Sequence, residues 1–218
     1  PAAGETVLAF LRSPYAHARI VSVDTTAARA LPGVLAVYTG AELAAAGVKP
    51  IPSIDVFKRA DGSALATPPR RALAHERVRF VGEAVAAVVA ESRDAARDAC
   101  EAIVVDYEEL PSVNDAVSAV RPGAAVICPE APDNIAAEMR HGDAAATRLA
   151  FERAAHVVSL DLVNQRLAPS SIEPRSVLAE TDPSSGRLTV RLSSQMPTAA
   201  MNVLIYAIHG LEPGQLRV

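Results

Sequence analysis

Tryptophan is absent from the 218 residues, and aromatic side chains of all kinds make up only 4%. Half of the residues are nonetheless hydrophobic, so the interior has to be built from small and β-branched side chains, a composition that suits helices laid on sheets. Cysteine is nearly missing as well: Cys100 and Cys128 are the only two. Two distant thiols exclude a disulfide framework and a cysteine-rich metal site, and they fit a reducing, cytoplasmic setting. No apolar run approaches the ~18–20 residues that a membrane-spanning helix needs. The densest run, Ala84–Ala90, is a buried-strand candidate instead.

Charge of one sign is also lacking. Twenty-one basic and 25 acidic residues are interspersed, which leaves no extended positive field for a polyanion, so nucleic acid is not an expected partner. There is no Gly-Gly pair, and no GxGxxG, Walker, HExxH, GxSxG or CxxC motif. Phosphate cradling by a glycine nest therefore has no support here. His17, His75, His141, His156 and His209 show no ligand-like spacing, so no metal ligand is predicted and each is expected at the surface or hydrogen-bonded in the core. The chain opens without Met and without the basic and long apolar segments of a signal peptide. Its first apolar run begins almost at once, which predicts an N-terminus cut from a longer chain.

Within these limits the pattern is regular. Apolar runs at Val7–Leu11, Ile20–Val23 and Val34–Tyr38 read as strands, with Pro14 breaking the first corner and Leu31-Pro32-Gly33 a turn. Ala41–Ala46 is a short helix stopped by Gly47. Lys49–Arg71, rich in Pro and in charges of both signs, reads as a long exposed loop. Val78–Val81 and Ala84–Ala90, parted by Gly82-Glu83, read as a strand pair or one bulged strand. Arg93–Ile103 is the clearest helix: Ser92 caps it, Asp94 sits near its positive end, and Ala95, Ala96, Ala99, Cys100 and Ile103 share a face. Cys100 is thus a small core residue. Val104–Tyr107 follows as a strand whose Asp106, Glu108 and Glu109 form a solvated face, and Asn114–Val120 as a short helix.

Arg121–Asn134, bearing Pro and Gly, reads as a linker. Beyond it come Gly142-Asp143, a helix over Ala144–Ala155 and an alternating strand over His156–Leu167. Two further strands, Ser176–Glu180 and Leu188–Leu192, flank a turn. The second delivers Gln195 just before Pro197, which opens a helix running to Gly210. A polar side chain at such a strand-to-helix junction is well placed to meet a ligand.

Several ordered motifs resemble one family. LRSPYAHAR at Leu11–Arg19, LPGVLAVYTG at Leu31–Gly40, VRFVGEAVAAVVAES at Val78–Ser92 and VVDYEELPSV at Val104–Val113 resemble the α/β hammerhead domain of the molybdenum hydroxylases, the xanthine dehydrogenase and aldehyde oxidase superfamily. Gly142-Asp143, NQR at Asn164–Arg166, EPR at Glu173–Arg175 and SSQ ending at Gln195 are similar to the opening of that family's first molybdopterin-binding domain. The form of NQRLAP and EPR most resembles the large subunit of aerobic carbon monoxide dehydrogenases and their relatives.

The resemblance implies an α+β fold. A hammerhead domain over residues 1–120 and a linker over 121–134 would precede the first, incomplete part of a molybdopterin-binding domain over 135–218. It implies an oxidoreductase that takes oxygen from water at a molybdenum–molybdopterin cytosine dinucleotide. Iron–sulfur clusters and FAD on partner subunits would receive the electrons, in a dimer of heterotrimers. Gln195 matches the family's glutamine that approaches the molybdenum and donates a hydrogen bond. Asn164, Arg166, Glu173 and Arg175 match motif positions near the domain core, where a buried Glu–Arg pair is architectural. The family's GGGFG segment, its general-base glutamate and the copper-binding cysteine of the carbon monoxide enzymes are not in these residues. Ser170-Ser171-Ile172 stands where many relatives carry Pro-Met, and Met196-Pro197 where some carry Asn-Pro-His. The chain by itself is therefore expected to be inactive, and the alternative is a non-catalytic assembly or interaction module.

Overall fold

A computed structural model describes residues 4–53, 56–165, 167–168 and 170–218. The elements in order are β1 (Val7–Arg12), β2 (Ala18–Asp24), α1 (Thr26–Arg29), β3 (Val34–Thr39), α2 (Gly40–Ala45), β4 (Arg77–Val78), β5 (Ala84–Ala90), α3 (Arg93–Glu101), β6 (Val104–Glu109) and α4 (Ala116–Ala119). Then follow α5 (Ala144–Arg153), β7 (Val177–Thr181), β8 (Leu188–Leu192), α6 (Pro197–Ala207) and a short β9 (Leu216–Arg217). The fold is α+β, with three small sheets among the described residues.

β5 lies at the centre of the first sheet, antiparallel to β1 on one side and β3 on the other. Its seven residues are all apolar because both of its faces are covered. Ala86, Val88 and Ala90 point to α3, where they pack with Ala96, Ala99, Cys100 and Ile103. Val85, on the opposite face, joins Ala18, Ala74 and Val78 in a second cluster against β2. Alanine supplies five of the nine buried residues of the first cluster, so small side chains fill the layer between α3 and the sheet. Ser92 caps α3 as expected, its hydroxyl accepting from the Ala95 N–H at 3.2 Å.

β2 is the middle strand of the second sheet, between β4 and β6. Here the structure departs from the expected pairing of Val78–Val81 with Ala84–Ala90. β4 pairs with β2, in a different sheet from β5, and Gly82, at φ +88°, turns the chain between them. The long loop is tied down: Arg59 pairs with Asp133 at 2.6 Å, and Lys58 bridges to Ala64 and Glu138. The stretch read as a linker is likewise folded back on itself, with Ala131 buried and the Asn134 amide donating to the carbonyls of Ala119 and Ala125 at 2.9 Å each.

The third sheet, β7-β8-β9, pairs β7 with β8 antiparallel and β8 with β9 in parallel. The alternating strand expected over His156–Leu167 is not formed. These residues carry no strand assignment among those described and are exposed, because no described strand lies beside them to complete a ladder. Four helices are shorter than their sequence signals: α3 stops at Glu101, α4 is the four residues after the Asp115 cap, α5 stops at Arg153, and α6 stops at Ala207.

Candidate functional site

Gln195 occupies the place its sequence setting predicts. The β7–β8 pairing is prolonged by the Ser193 N–H donating to the Ser176 carbonyl at 3.4 Å. The chain then bends, and the Ser194 hydroxyl accepts from the Met196 N–H at 3.0 Å, closing a local turn. Pro197 opens α6, which begins without a side-chain cap. Gln195 sits in this bend, exposed, and its carboxamide has no hydrogen-bond partner among the described residues. A hollow of about 280 Å³ lies along β8, the start of α6 and β9, lined by Thr189, Arg191, Leu192, Pro197 and Arg217, and Gln195 is not among its lining residues. Arg191 is held across the hairpin by Glu180 at 2.8 Å.

The other motif residues stand apart. Asn164, Glu173 and Arg175 are exposed, and Glu173 and Arg175 form no ion pair, so the buried pair expected of them is not present among the described residues. Arg166 lies outside the described residues. Gly142-Asp143 has a local explanation: Gly142 takes φ +87°, and the Asp143 carboxylate accepts from the Ala146 N–H at 2.9 Å, capping α5.

His17 is buried and satisfied, its Nδ1 2.6 Å from the Pro111 carbonyl oxygen. Among the described residues no group of three or more His, Cys, Asp or Glu could hold a metal ion, and no helix is long and apolar enough to cross a membrane.

A larger hollow, about 600 Å³, lies in the first half of the chain beside Arg71, His75, Arg77, Arg79 and Glu83. Sequence reasoning missed it. It forms where Glu76 adopts φ +67° and the Arg77 N–H closes a tight turn onto the His75 carbonyl at 2.8 Å. No sequence pattern announces such a turn at a non-glycine residue. Arg19, Arg79 and Glu83 of the hammerhead motifs line this hollow, whereas Asn164, Glu173, Arg175 and Gln195 do not.

Comparison with known proteins agrees with the geometry. Residues 1–111 match the profile described as "Aldehyde oxidase and xanthine dehydrogenase, a/b hammerhead domain". Residues 127–218 match "Molybdopterin cofactor-binding domain". The nicotine 6-hydroxylase large subunit of Paenarthrobacter nicotinovorans is 38% identical over 89% of this chain and 23% of its own length. The carbon monoxide dehydrogenase large chain of Afipia carboxidovorans is 35% identical over 96% of this chain and 26% of its own. Among solved structures, a Cu,Mo-CO dehydrogenase superposes with a TM-score of 0.83 at 33% identity, covering 99% of this chain and 27% of that one. Quinoline 2-oxidoreductase from Pseudomonas putida 86 gives 0.81 at 31%, covering 99% and 26%. The chain thus spans about a quarter of the length of these relatives. With both halves matched in order, the chain belongs to the aldehyde oxidase and xanthine dehydrogenase family of molybdopterin enzymes.

Proposed function

We propose that the chain is the first portion of a molybdenum hydroxylase large subunit, an oxidoreductase that takes oxygen from water, and that Gln195 is its catalytic contribution. The observation that carries this reading is the free carboxamide of Gln195 in the bend between β8 and α6, within the residues that match the cofactor-binding profile. A primary amide donates hydrogen bonds without titrating near neutral pH. Aimed at an oxygen of the bound group or of substrate, it stabilises negative charge as that charge develops. The uncapped first turn of α6 adds the partial positive charge of free N–H groups beside it.

This setting fits an anionic, oxygen-rich group. The Gln195 carboxamide and the N–H groups of the first turn of α6 would meet the oxygen atoms of such a group. When bound, the molybdenum–pterin group supplies two-electron oxidation and oxygen transfer. In our reading it is the molybdopterin cytosine dinucleotide form, and iron–sulfur and FAD subunits draw the electrons away in a cytoplasmic dimer of heterotrimers. The relatives' names, large subunit and large chain, support an assembly of several subunits. The domain division at residues 121–134 belongs to the same reading, supported by the gap between the two matched stretches, residues 112–126, which overlaps its first part.

In the intact subunit, Gln195→Ala should lower kcat about 100-fold, with melting temperature and molybdenum content unchanged. Unchanged turnover at equal melting would refute the assigned role. The chain alone is inactive in this reading, because one glutamine without base or electron acceptor offers no route for oxygen or electrons. A second reading, a non-catalytic assembly module, is favoured by one observation: after residue 134 only Val190 and Leu216 are buried hydrophobics among the described residues. Molybdenum and hydroxylase activity in the complete complex decide for the enzyme, and their absence decides for the module.

A further inference from the structure

Val78 of β4 is fully buried in the second core cluster, so its neighbours Arg77 and Arg79 point to the other side of the strand. In the register between β2 and β4, Ala18 faces Val78 and Arg19 faces Arg77. Two guanidinium groups are thereby set directly opposite each other, an arrangement in which like charges repel. Arg19 is relieved by Glu108, its partner on β6. Arg77 has no such carboxylate among the described residues.

A neutral group holds Arg77 instead. Its guanidinium lies 3.4 Å from Nε2 of the buried His17, whose Nδ1 is 2.6 Å from the Pro111 carbonyl oxygen. A guanidinium only donates hydrogen bonds, so Nε2 accepts and Nδ1 carries the proton. The ring thus fixes the direction of the Arg77 fork without offsetting its charge. Arg71 reaches the same place from the end of the long loop, and Arg71, Arg77 and Arg79 form no ion pair among the described residues. The Glu83 carboxylate is occupied by the Arg79 N–H, which donates to it at 2.6 Å. Glu76 and Glu130 are exposed and pair with none of the arginines. These groups line the hollow of about 600 Å³, to which the described residues contribute four arginines and no lysine.

We propose that this hollow is an oxyanion site for a small molecule bearing a phosphate or diphosphate group, held by Arg71, Arg77 and Arg79. The planar fork of arginine matches phosphate oxygens two at a time, which a lysine ammonium does not. A single carboxylate has two oxygens and serves one fork. A phosphate or diphosphate offers more oxygens and more than one negative charge, which suits three forks arriving from a loop, a strand and the residue after it. The volume is within the ~300–1,000 Å³ of small-molecule sites. Pro129 and Glu130 apart, the lining residues lie in the stretch that matches the hammerhead profile, so the inference does not rest on Gln195 or on molybdenum chemistry.

Titration calorimetry of the intact complex, with inorganic pyrophosphate as the probe, tests this. One pyrophosphate should bind per large subunit. Arg77→Ala and Arg71→Ala should each weaken binding on the order of 10-fold, and Arg77→Lys, which keeps the charge and loses the fork, nearly as much. Arg97→Ala removes an exposed charge from α3 and should change binding less than about 2-fold, since a distant surface charge is screened. Orthophosphate binding as tightly as pyrophosphate upholds the site with a monophosphate as its ligand. Absence of binding overturns the proposal, as it would if a carboxylate from elsewhere in the complex already filled the hollow. Equal weakening by all three alanine variants overturns it too, because net charge alone would then be responsible. So does pyrophosphate binding that releases molybdenum in equal amount. If Arg77→Ala lowers the melting temperature, Arg71→Ala decides, and unweakened binding in that variant refutes the site.

Discussion

The ammonium of Lys49 lies 5.1 Å from the ring centroid of Tyr206, and the Lys49 N–H donates to the Ala207 carbonyl at 2.8 Å. Lys49 follows α2 and Tyr206 belongs to α6, so this pair ties the hammerhead half to the helix that begins beside Gln195. An exposed cation–ring contact of this kind is worth about 0.5–1 kcal/mol. Tyr206→Ala should therefore lower stability by about 1 kcal/mol in urea unfolding, and Tyr206→Phe, which keeps the ring face, should recover most of it. A Phe variant as unstable as the Ala variant would show that the ring is not what Lys49 holds.

Gly40 is required by space and not by backbone freedom. It opens α2 against the loop before β4, and a Cβ there would sit 2.0 Å from the Ala74 carbonyl oxygen and 2.6 Å from its carbon. Neither atom belongs to a flexible side chain, so the backbone itself would have to move. Gly40→Ala should cost about 3 kcal/mol, the upper end of overpacking. Gly62→Ala is the contrast: φ is +81° with nothing within 4 Å, and only the left-handed backbone is penalised, by about 1–2 kcal/mol. Equal denaturation midpoints for the two variants would contradict this assignment of causes.

These two contacts mark where sequence reading stops. α3 was legible because its cap, its dipole-favoured Asp94 and its apolar face all sit within twelve residues, Ser92 to Ile103. β5 was legible because burial on both faces leaves an unbroken apolar run. The bend between β8 and α6 that holds Gln195 was legible since a strand, a turn and a proline are local signals. Lys49 meeting Tyr206, Arg59 meeting Asp133 and β4 crossing to β2 join distant positions, and nothing in local periodicity encodes them. The alternation over His156–Leu167 was read correctly as a pattern and wrongly as a formed element. Periodicity records which face seeks burial, whereas a ladder needs a partner strand that no described residue supplies.

The two cysteines differ in access and share a depressed reactivity. Burial pushes both thiols above their ordinary value, Cys100 within the α3–β5 core and Cys128 beside Arg79. Thiol reagents at neutral pH should label Cys128, half-buried, before Cys100, and Cys100 only when the domain unfolds. Cys100→Ser should destabilise by about 1–3 kcal/mol, since its hydroxyl would enter an apolar cluster without a partner. Mass-resolved labelling in increasing urea reads both expectations, and Cys100 labelling at the native rate of Cys128 would contradict its place in the core.

Asp182 begins the β7–β8 turn, and its carboxylate accepts from the hydroxyls of Ser185 and Ser184 at 2.6 and 2.7 Å and from the Ser184 N–H at 2.9 Å. The Ser185 hydroxyl bond first, then the Ser184 bonds, hold its pKa at about 2, below the ordinary 3.8. A depressed folded-state pKa means that the unfolded turn binds the proton more readily than the folded one. The contribution of these bonds is thus fully present above the unfolded value of 3.8 and is lost as pH falls through about 2. Backbone exchange in the hairpin, referenced to β5, should therefore accelerate between those two values in the wild type. Asp182→Asn, which cannot titrate, should flatten that dependence. Carboxyl-detected NMR gives the direct check: an Asp182 midpoint near 3.8 would mean that the serines do not hold the carboxylate in solution, and the pH dependence of this hairpin would then have to originate elsewhere.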